Sequence, residues 1–111
     1  MHIDSYSFGS IIINGKEHKD IKIYKDQVMP RHYIKHHTFT IEDISDIIKD
    51  TDYLIMWIGQ SWMVSEEDDV IPFLEKKWIT PIIEETTQAV KTYNKLISEN
   101  KKAAAILHST C

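Results

Sequence analysis

The sequence holds one cysteine, three glycines and three prolines in 111 residues. A single cysteine excludes a disulfide framework and a cysteine-only zinc centre. So little glycine and proline excludes a collagen-like, low-complexity or disordered chain. No apolar run approaches the roughly 18 residues of a membrane span. The opening Met1-His2-Ile3-Asp4-Ser5 lacks the basic start and apolar stretch of a secretory signal, so a cytoplasmic setting is expected. Walker, Gly-x-Gly-x-x-Gly, His-Glu-x-x-His and Cys-x-x-Cys motifs are missing too, which removes the common phosphate, dinucleotide and zinc signatures. What remains is an ordinary composition, 42% hydrophobic, 10% aromatic and 27% charged. That is enough to bury one core at this length, and one domain over residues 1–111 is expected.

Charge is unevenly spread. The net charge is −4. Residues 16–37 carry six basic side chains (Lys16, Lys19, Lys22, Lys25, Arg31, Lys35) against Glu17, Asp20 and Asp26, a balance of +3 on a remainder of −7. His18, His32, His36 and His37 lie in the same stretch and add positive charge near pH 6. An acidic whole with a mildly basic segment argues against nucleic-acid binding. It leaves room for a small anion or an acidic protein partner. Lysines alternating along a half-exposed strand also explain the pattern without any ligand.

Periodicity gives a mixed α/β chain. Residues 6–13 are rich in β formers, and their apolar phase slips by one at Gly9, which predicts a bulge. Asn14-Gly15 predicts a tight turn with positive φ at both central positions. Residues 18–24 then alternate, so the first 25 residues read as one β-hairpin. Residues 26–40 contain Pro30 and have no clean period, which reads as loop. Thr40 has the position of an N-cap with Asp43 three residues on, and Ile41, Ile44, Ile47 and Ile48 predict a helix running to about Asp50.

Residues 53–58 are wholly apolar and predict a strand in the middle of a sheet. The acids among Ser65-Glu66-Glu67-Asp68-Asp69 suit a helix N-terminus, and Pro72 must then lie in the first turn, with the helix opening near Asp68 or Asp69. Residues 79–83 form a short strand that Pro81 confines to an edge or a start. Thr86 opens a last helix with Ala89, Val90, Tyr93, Leu96 and Ile97 on one stripe, stopped by Asn100. Residues 103–107 are a second fully apolar strand. The order β-β-α-β-α-β-α-β predicts one mixed sheet with about three helices packed on it. Strand order does not follow from the pattern.

Several pieces together are similar to a known family. They are Ser7-Phe8-Gly9-Ser10-Ile11, Gly15, Asp20, Arg31 followed by His36 or His37, Ile58-Gly59, Thr86-x-x-Ala89-Val90-x-x-Tyr93-Asn94, and His108-Ser109-Thr110-Cys111. The chain resembles, nearly end to end, the small α/β family that includes the adipogenesis-associated domain-containing protein and mitochondrial complex I assembly factor three. That resemblance implies a three-layer α/β fold around a mixed five-stranded sheet, and brings no catalytic activity with it. The sequence departs from the family pattern at Gln60, where a second glycine is common, at Pro30, where an aromatic is common, and at Trp78, which stands where the family has glycine. Tryptophan does not supply positive φ cheaply, so a differently built helix-to-strand corner is expected there.

Four constellations bear on function. His32, His36 and His37 with His108 or Cys111 have the right donors for zinc but no recognised spacing, and no metal or cofactor is expected. Cys111 beside His108 suggests a nucleophile and base, but a terminal carboxylate raises a thiol's pKa, and a tail tucked against the sheet end is the simpler account. Gly59-Gln60-Ser61 follows the central strand, where open α/β sheets hold ligands, and with Arg31, His36 and His37, joined by the His108 and Cys111 tail, makes a candidate small-anion site. Trp57 reads as core. Trp62 and Trp78 stand at loop and corner positions, where each either caps the core, the favoured reading, or anchors a partner.

No residue set makes a recognised catalytic apparatus. The favoured expectation is a non-enzymatic interaction or assembly module with a protein partner or a second copy of itself. The alternative is a small anionic-ligand binder or enzyme using the Arg31, His36, His37 and Gly59-Gln60-Ser61 loops.

Overall fold

The computed structural model describes residues 2–7, 9–30, 38–57, 65–66 and 69–107. The chain begins with three short strands, β1 (Ser5–Ser7), β2 (Ser10–Ile13) and β3 (Lys16–His18), paired antiparallel in that order. Gly9, with φ +78°, lies in the turn between β1 and β2, and Ser7 pairs with Ser10. The one-residue slip in the apolar pattern is therefore a chain reversal and not a bulge. Asn14 (φ +51°) and Gly15 (φ +78°) make the expected tight turn, with Ile13 opposite Lys16.

The run predicted as a single second strand is broken at Lys19-Asp20. After it, β4 (Ile21–Tyr24) leaves the small sheet and joins the main one. The segment read as loop begins with another strand, β5 (Gln27–Pro30), antiparallel to β4 and reached through a turn at Lys25 (φ +54°). It is an edge strand, which is why it tolerates Pro30 and carries little apolar signal. A further two-residue strand, β6 (Thr38–Phe39), pairs in parallel with β8 (Ser65–Glu66), where acids had suggested a helix approach.

Between them lie α1 (Ile41–Ile44) and β7 (Tyr53–Trp57). The expected capping box is present: the Asp43 amide donates to Thr40 Oγ1 at 3.3 Å, and the Thr40 amide donates to Asp43 Oδ2 at 2.8 Å. The helix nevertheless stops at Ile44, well short of Asp50. Lys22 Nζ reaches from β4 to the Asp43 carbonyl at 3.0 Å and to both Asp46 carboxylate oxygens at 2.8 and 2.9 Å. Tyr24 donates its hydroxyl to the Lys49 carbonyl at 2.7 Å. These ties draw the segment after α1 onto the sheet, and Ile44 and Ile47 stay buried although only one of them is helical.

The remaining elements match the sequence pattern: α2 (Val70–Lys76), β9 (Thr80–Glu84), α3 (Thr86–Ser98) and β10 (Ala103–Leu107). The main sheet has the order β5-β4-β10-β7-β9. β10 lies between antiparallel β4 and parallel β7, every one of its residues is buried, and β7 pairs in parallel with β9. One face of the sheet packs Ile21, Ile23, Ile55 and Ala105 against Ala89 and Tyr93 of α3 and Ile11 and Ile13 of the small sheet. On the other face Leu54, Met56, Ala104 and Ile106 meet Ile44, Val70 and Leu74 of α1 and α2. The result is the expected three-layer α/β arrangement around a mixed five-stranded sheet.

Candidate functional site

Pairing register lines up one row across the main sheet. Pro30 stands opposite Ile21, Ile21 opposite Leu107, Leu107 opposite Trp57, and Trp57 opposite Glu84. Because β5, β10, β7 and β9 run in the same direction, the chain leaves all four strands at this same end. Pro30, Leu107, Trp57 and Glu84 therefore close their strands in a common row at one edge of the sheet. Pro30 and Trp57 are three strand spacings apart, about 14 Å. Arg31, His36, His37, Gly59, Gln60, Ser61, Trp62, His108 and Cys111 themselves lie outside the described residues. So does His32. Among the described residues no group of three or more His, Cys, Asp or Glu side chains is placed to hold a metal ion.

Two buried polar atoms on the α3 face escaped the sequence reading. Glu84 ends β9, and its Oε1 is buried with no hydrogen-bond partner among the described residues. An acid closing an otherwise apolar strand after Pro81 was the available signal. Tyr93 is fully buried and its hydroxyl also lacks a partner among the described residues. Burial, with the Asp26 charge adding to it, pushes its phenol up to about 12.

At the opposite end of the sheet, Tyr24, Lys25, Asp26, Asp50, Lys101 and Lys102 border an open cleft of about 440 Å³. Its charges are largely engaged with each other. Lys102 Nζ lies 2.8 Å from Asp50 Oδ1, and Lys25 Nζ lies 3.9 Å from Asp50 Oδ2. The Lys102 hydrogen bond and charge hold the Asp50 carboxyl below its usual value, and Asp50 in turn raises the Lys102 ammonium. With Lys25 and Lys102 engaged by Asp50 and Asp26 adding a second negative charge, the cleft offers an anion only one further cation, Lys101.

Two helix-to-strand corners and the turn before β7 sit at that end, each with a residue in the left-handed region: Trp78 (φ +62°) after α2, Asn100 (φ +59°) after α3 and Asp50 (φ +57°) before β7. In the α2 corner the Ile79 amide donates to the Leu74 carbonyl at 3.0 Å and the Trp78 amide to the Glu75 carbonyl at 3.1 Å. The α3 corner repeats the pattern, Lys101 to Leu96 and Asn100 to Ile97, both at 3.0 Å. This is the glycine-type helix ending in which one residue takes positive φ so that the last carbonyls are satisfied.

Asp and Asn adopt that conformation readily, whereas for other side chains it costs about 1–2 kcal/mol. The expectation of a differently built corner at Trp78 is thus corrected: the geometry is the same and the tryptophan bears the strain. The expectation that Trp78 caps the core is corrected as well, since its side chain is 90% exposed. It stands beside exposed Lys76 and Lys77, with Lys77 Nζ 5.2 Å from the centroid of the Phe73 ring. No side chain of the core needs Trp78, and the backbone would be better served by glycine.

These features define a small three-layer α/β protein whose one exposed large hydrophobic side chain, among the described residues, is held at a strained corner. The chain belongs to the family of proteins of unknown function DUF498/DUF598, whose model matches residues 3–108. A conserved hypothetical protein from Pyrococcus horikoshii is similar over 100% of both chains, with 27% identity and a TM-score of 0.87. An outer membrane protein from Bartonella henselae shares the fold over 98% of this chain and 94% of its own, with 22% identity and a TM-score of 0.81. A protein from Rhodopseudomonas palustris does so over 96% of this chain and 81% of its own, with 23% identity and a TM-score of 0.75. No helix among the described residues is long and apolar enough to cross a membrane.

Proposed function

We propose that this protein is a non-enzymatic interaction module that docks a protein partner at the corner formed by Trp78. The supporting observation is a contradiction that stability does not resolve. Trp78 is 90% exposed and holds φ +62°, so it both leaves a large apolar surface in water and strains the backbone. Exposed tryptophan is the side chain most often found to dominate a protein interface, with truncation costing about 2 kcal/mol or more of binding. Lys76 and Lys77 form no ion pair among the described residues. Two unmatched cations beside the anchor favour an acidic surface on the partner.

The alternative, a small anion bound beyond the ends of β7 and β9, draws on a different observation. α2, which follows β7 in the chain, packs on one face of the sheet and α3, which follows β9, packs on the other, an arrangement that in open α/β sheets favours ligands beyond the strand ends. Glu84 closes β9 there, with a carboxylate oxygen that is buried and has no hydrogen-bond partner among the described residues. The residues assigned to the anion lie outside the described ones, whereas Trp78 and its corner are described, so the docking role is the better supported of the two.

Photo-crosslinking tests the proposal. A benzophenone attached to the introduced thiol of a Lys76→Cys, Cys111→Ser protein is expected to capture a protein adduct in cells. The same probe from Lys95→Cys, on exposed α3 surface, is expected to give none. Adding Trp78→Gly to the first variant is expected to abolish the adduct, and an undiminished adduct contradicts the proposal.

A further inference from the structure

Among the described residues β9 is an outer strand of the main sheet with no neighbour on its far side, its edge runs beside Trp78, and its backbone groups point to a second copy of this chain as the occupant. The Thr80 amide donates to the Asp52 carbonyl at 2.8 Å, so the N–H and C=O of Thr80 face β7. Backbone direction alternates along a strand, so Ile82 and Glu84 also face β7. Pro81, Ile83 and Glu85 turn theirs to the open edge. Glu85 is still extended, with φ −70° and ψ 165°. The edge therefore offers two donors, the amides of Ile83 and Glu85, and no donor at Pro81.

We propose that two copies pair antiparallel along β9, with Ile83 opposite Ile83 on the two-fold axis and Pro81 opposite Glu85. This names the partner at the Trp78 corner and rests on the docking role proposed above. In this register the two Ile83 residues exchange both of their bonds, and each Glu85 amide donates to the Pro81 carbonyl of the partner. All four donors are used. The acceptor left facing the proline's missing N–H is the Glu85 carbonyl, which already accepts the Ala89 amide at 2.9 Å inside α3. Pro81 blocks many edge pairings, but in this one nothing is left unmatched.

Charge selects the same direction. Lys76 and Lys77 precede β9 and Glu84 and Glu85 close it, so antiparallel pairing brings each copy's basic end toward the other's acidic end. Parallel pairing would put like charge on like. Trp78, at the basic end, then packs against the start of the partner's α3. Ile82 and Ile83, both half-buried in the single chain, lose their remaining exposure.

Glu85→Pro tests this without disturbing the fold. Its φ of −70° suits proline and its amide has no partner within the chain among the described residues, so only the outward donor and the side-chain cap on Gln88 are lost. Glu85→Gln keeps the amide and serves as the control. Sedimentation of the wild type at about 100 µM is expected to give a dimer, within the range of ordinary weak self-association. Glu85→Pro is expected to raise the dissociation constant at least about tenfold and Glu85→Gln less than about threefold, while both melt cooperatively. In deuterium exchange the Ile83 and Glu85 amides are expected to lose protection on dilution.

A wild type that stays monomeric at about 500 µM overturns self-pairing. So does a Glu85→Pro protein that dimerises as well as the wild type. If self-pairing fails in either way while Trp78→Gly still abolishes a crosslink to a different protein, the docking role stands alone. If the dimer forms with this edge behaviour and Trp78→Gly leaves it unchanged, the edge pairing stands and the role given to Trp78 fails.

Discussion

Asn94 and Ile3, 91 residues apart, exchange two hydrogen bonds through one side-chain amide. The Ile3 amide donates to Asn94 Oδ1 at 2.8 Å, and Asn94 Nδ2 donates to the Ile3 carbonyl at 2.9 Å. The amide of α3 thus mimics a neighbouring strand and fastens the segment before β1 to the helix. Only Asn or Gln carries both donor and acceptor for that role, and Gln is a methylene too long for the same geometry. Asn94→Ala is expected to lower the free energy of unfolding by about 2 kcal/mol, because it leaves two part-buried backbone groups unpaired. Urea denaturation measures it, and a change below about 0.5 kcal/mol contradicts the account.

Tyr93, one residue earlier, behaves in the opposite way. Its hydroxyl is buried without a partner among the described residues, so Tyr93→Phe is expected to leave stability at neutral pH unchanged or to raise it by up to about 1 kcal/mol. The pH dependence follows from the raised phenol. Below pH 10 it is neutral in both folded and unfolded chains and contributes no slope. Between pH 10 and about 12 the unfolded chain loses the proton while the folded chain keeps it, so stability falls as pH rises, by at most about 1.4 kcal/mol per unit. The Phe variant is expected to lack this part of the alkaline decline. An identical decline in both proteins would show that the phenol titrates normally.

Asp50 and Lys102 give a small effect at both ends of the pH scale. The Asp50 carboxyl is depressed, so its contribution is complete above the ordinary value of 3.8 and fades as pH falls through the lower folded value. The Lys102 ammonium is raised, so its contribution is complete below 10.5 and fades as pH rises through the higher folded value. Asp50→Asn keeps a side chain that accepts positive φ while removing the charge. The difference in Tm between variant and wild type is expected at pH 7, and to shrink toward zero near pH 2 or in strong salt. A difference independent of both would assign the effect to the turn and not to the ion pair.

How far the fold is legible in the sequence depends on how local its causes are. The apolar runs that became β7 and β10 and the stripe of α3 carry their burial in their own spacing. The Asn14-Gly15 turn and the Thr40–Asp43 box are set by residues in contact along the chain, and both form as read. The failures arise where a partner distant in sequence decides. Gly9 turns the chain because β2 needs β1 beside it. β5 is a strand because β4 offers an edge, although Gln27-Val28-Met29-Pro30 alone has little β signal. The segment after α1 leaves the helix because Lys22 and Tyr24 hold it to the sheet.

The candidate site divides along the same line. Register brings the strand ends Pro30, Trp57 and Leu107 into one row, a relationship that strand order alone creates, while the candidate anion-site residues themselves lie outside the described residues. Trp78 was visible as a tryptophan in a glycine's place, yet whether it turned inward or outward required the corner itself. Glu84 looked like one acid among 17 acidic residues until its oxygen proved buried.

Trp78, on this account, is present for a partner and at the expense of the fold. Thermal unfolding and crosslinking of Trp78→Gly, measured side by side, test that claim most directly. Glycine relieves a left-handed corner, so Tm is expected to hold or to rise by a few degrees, about 1 kcal/mol on a domain of this size, while the crosslink is lost. A fall in Tm of several degrees with the crosslink intact would make Trp78 a structural residue and contradict the account.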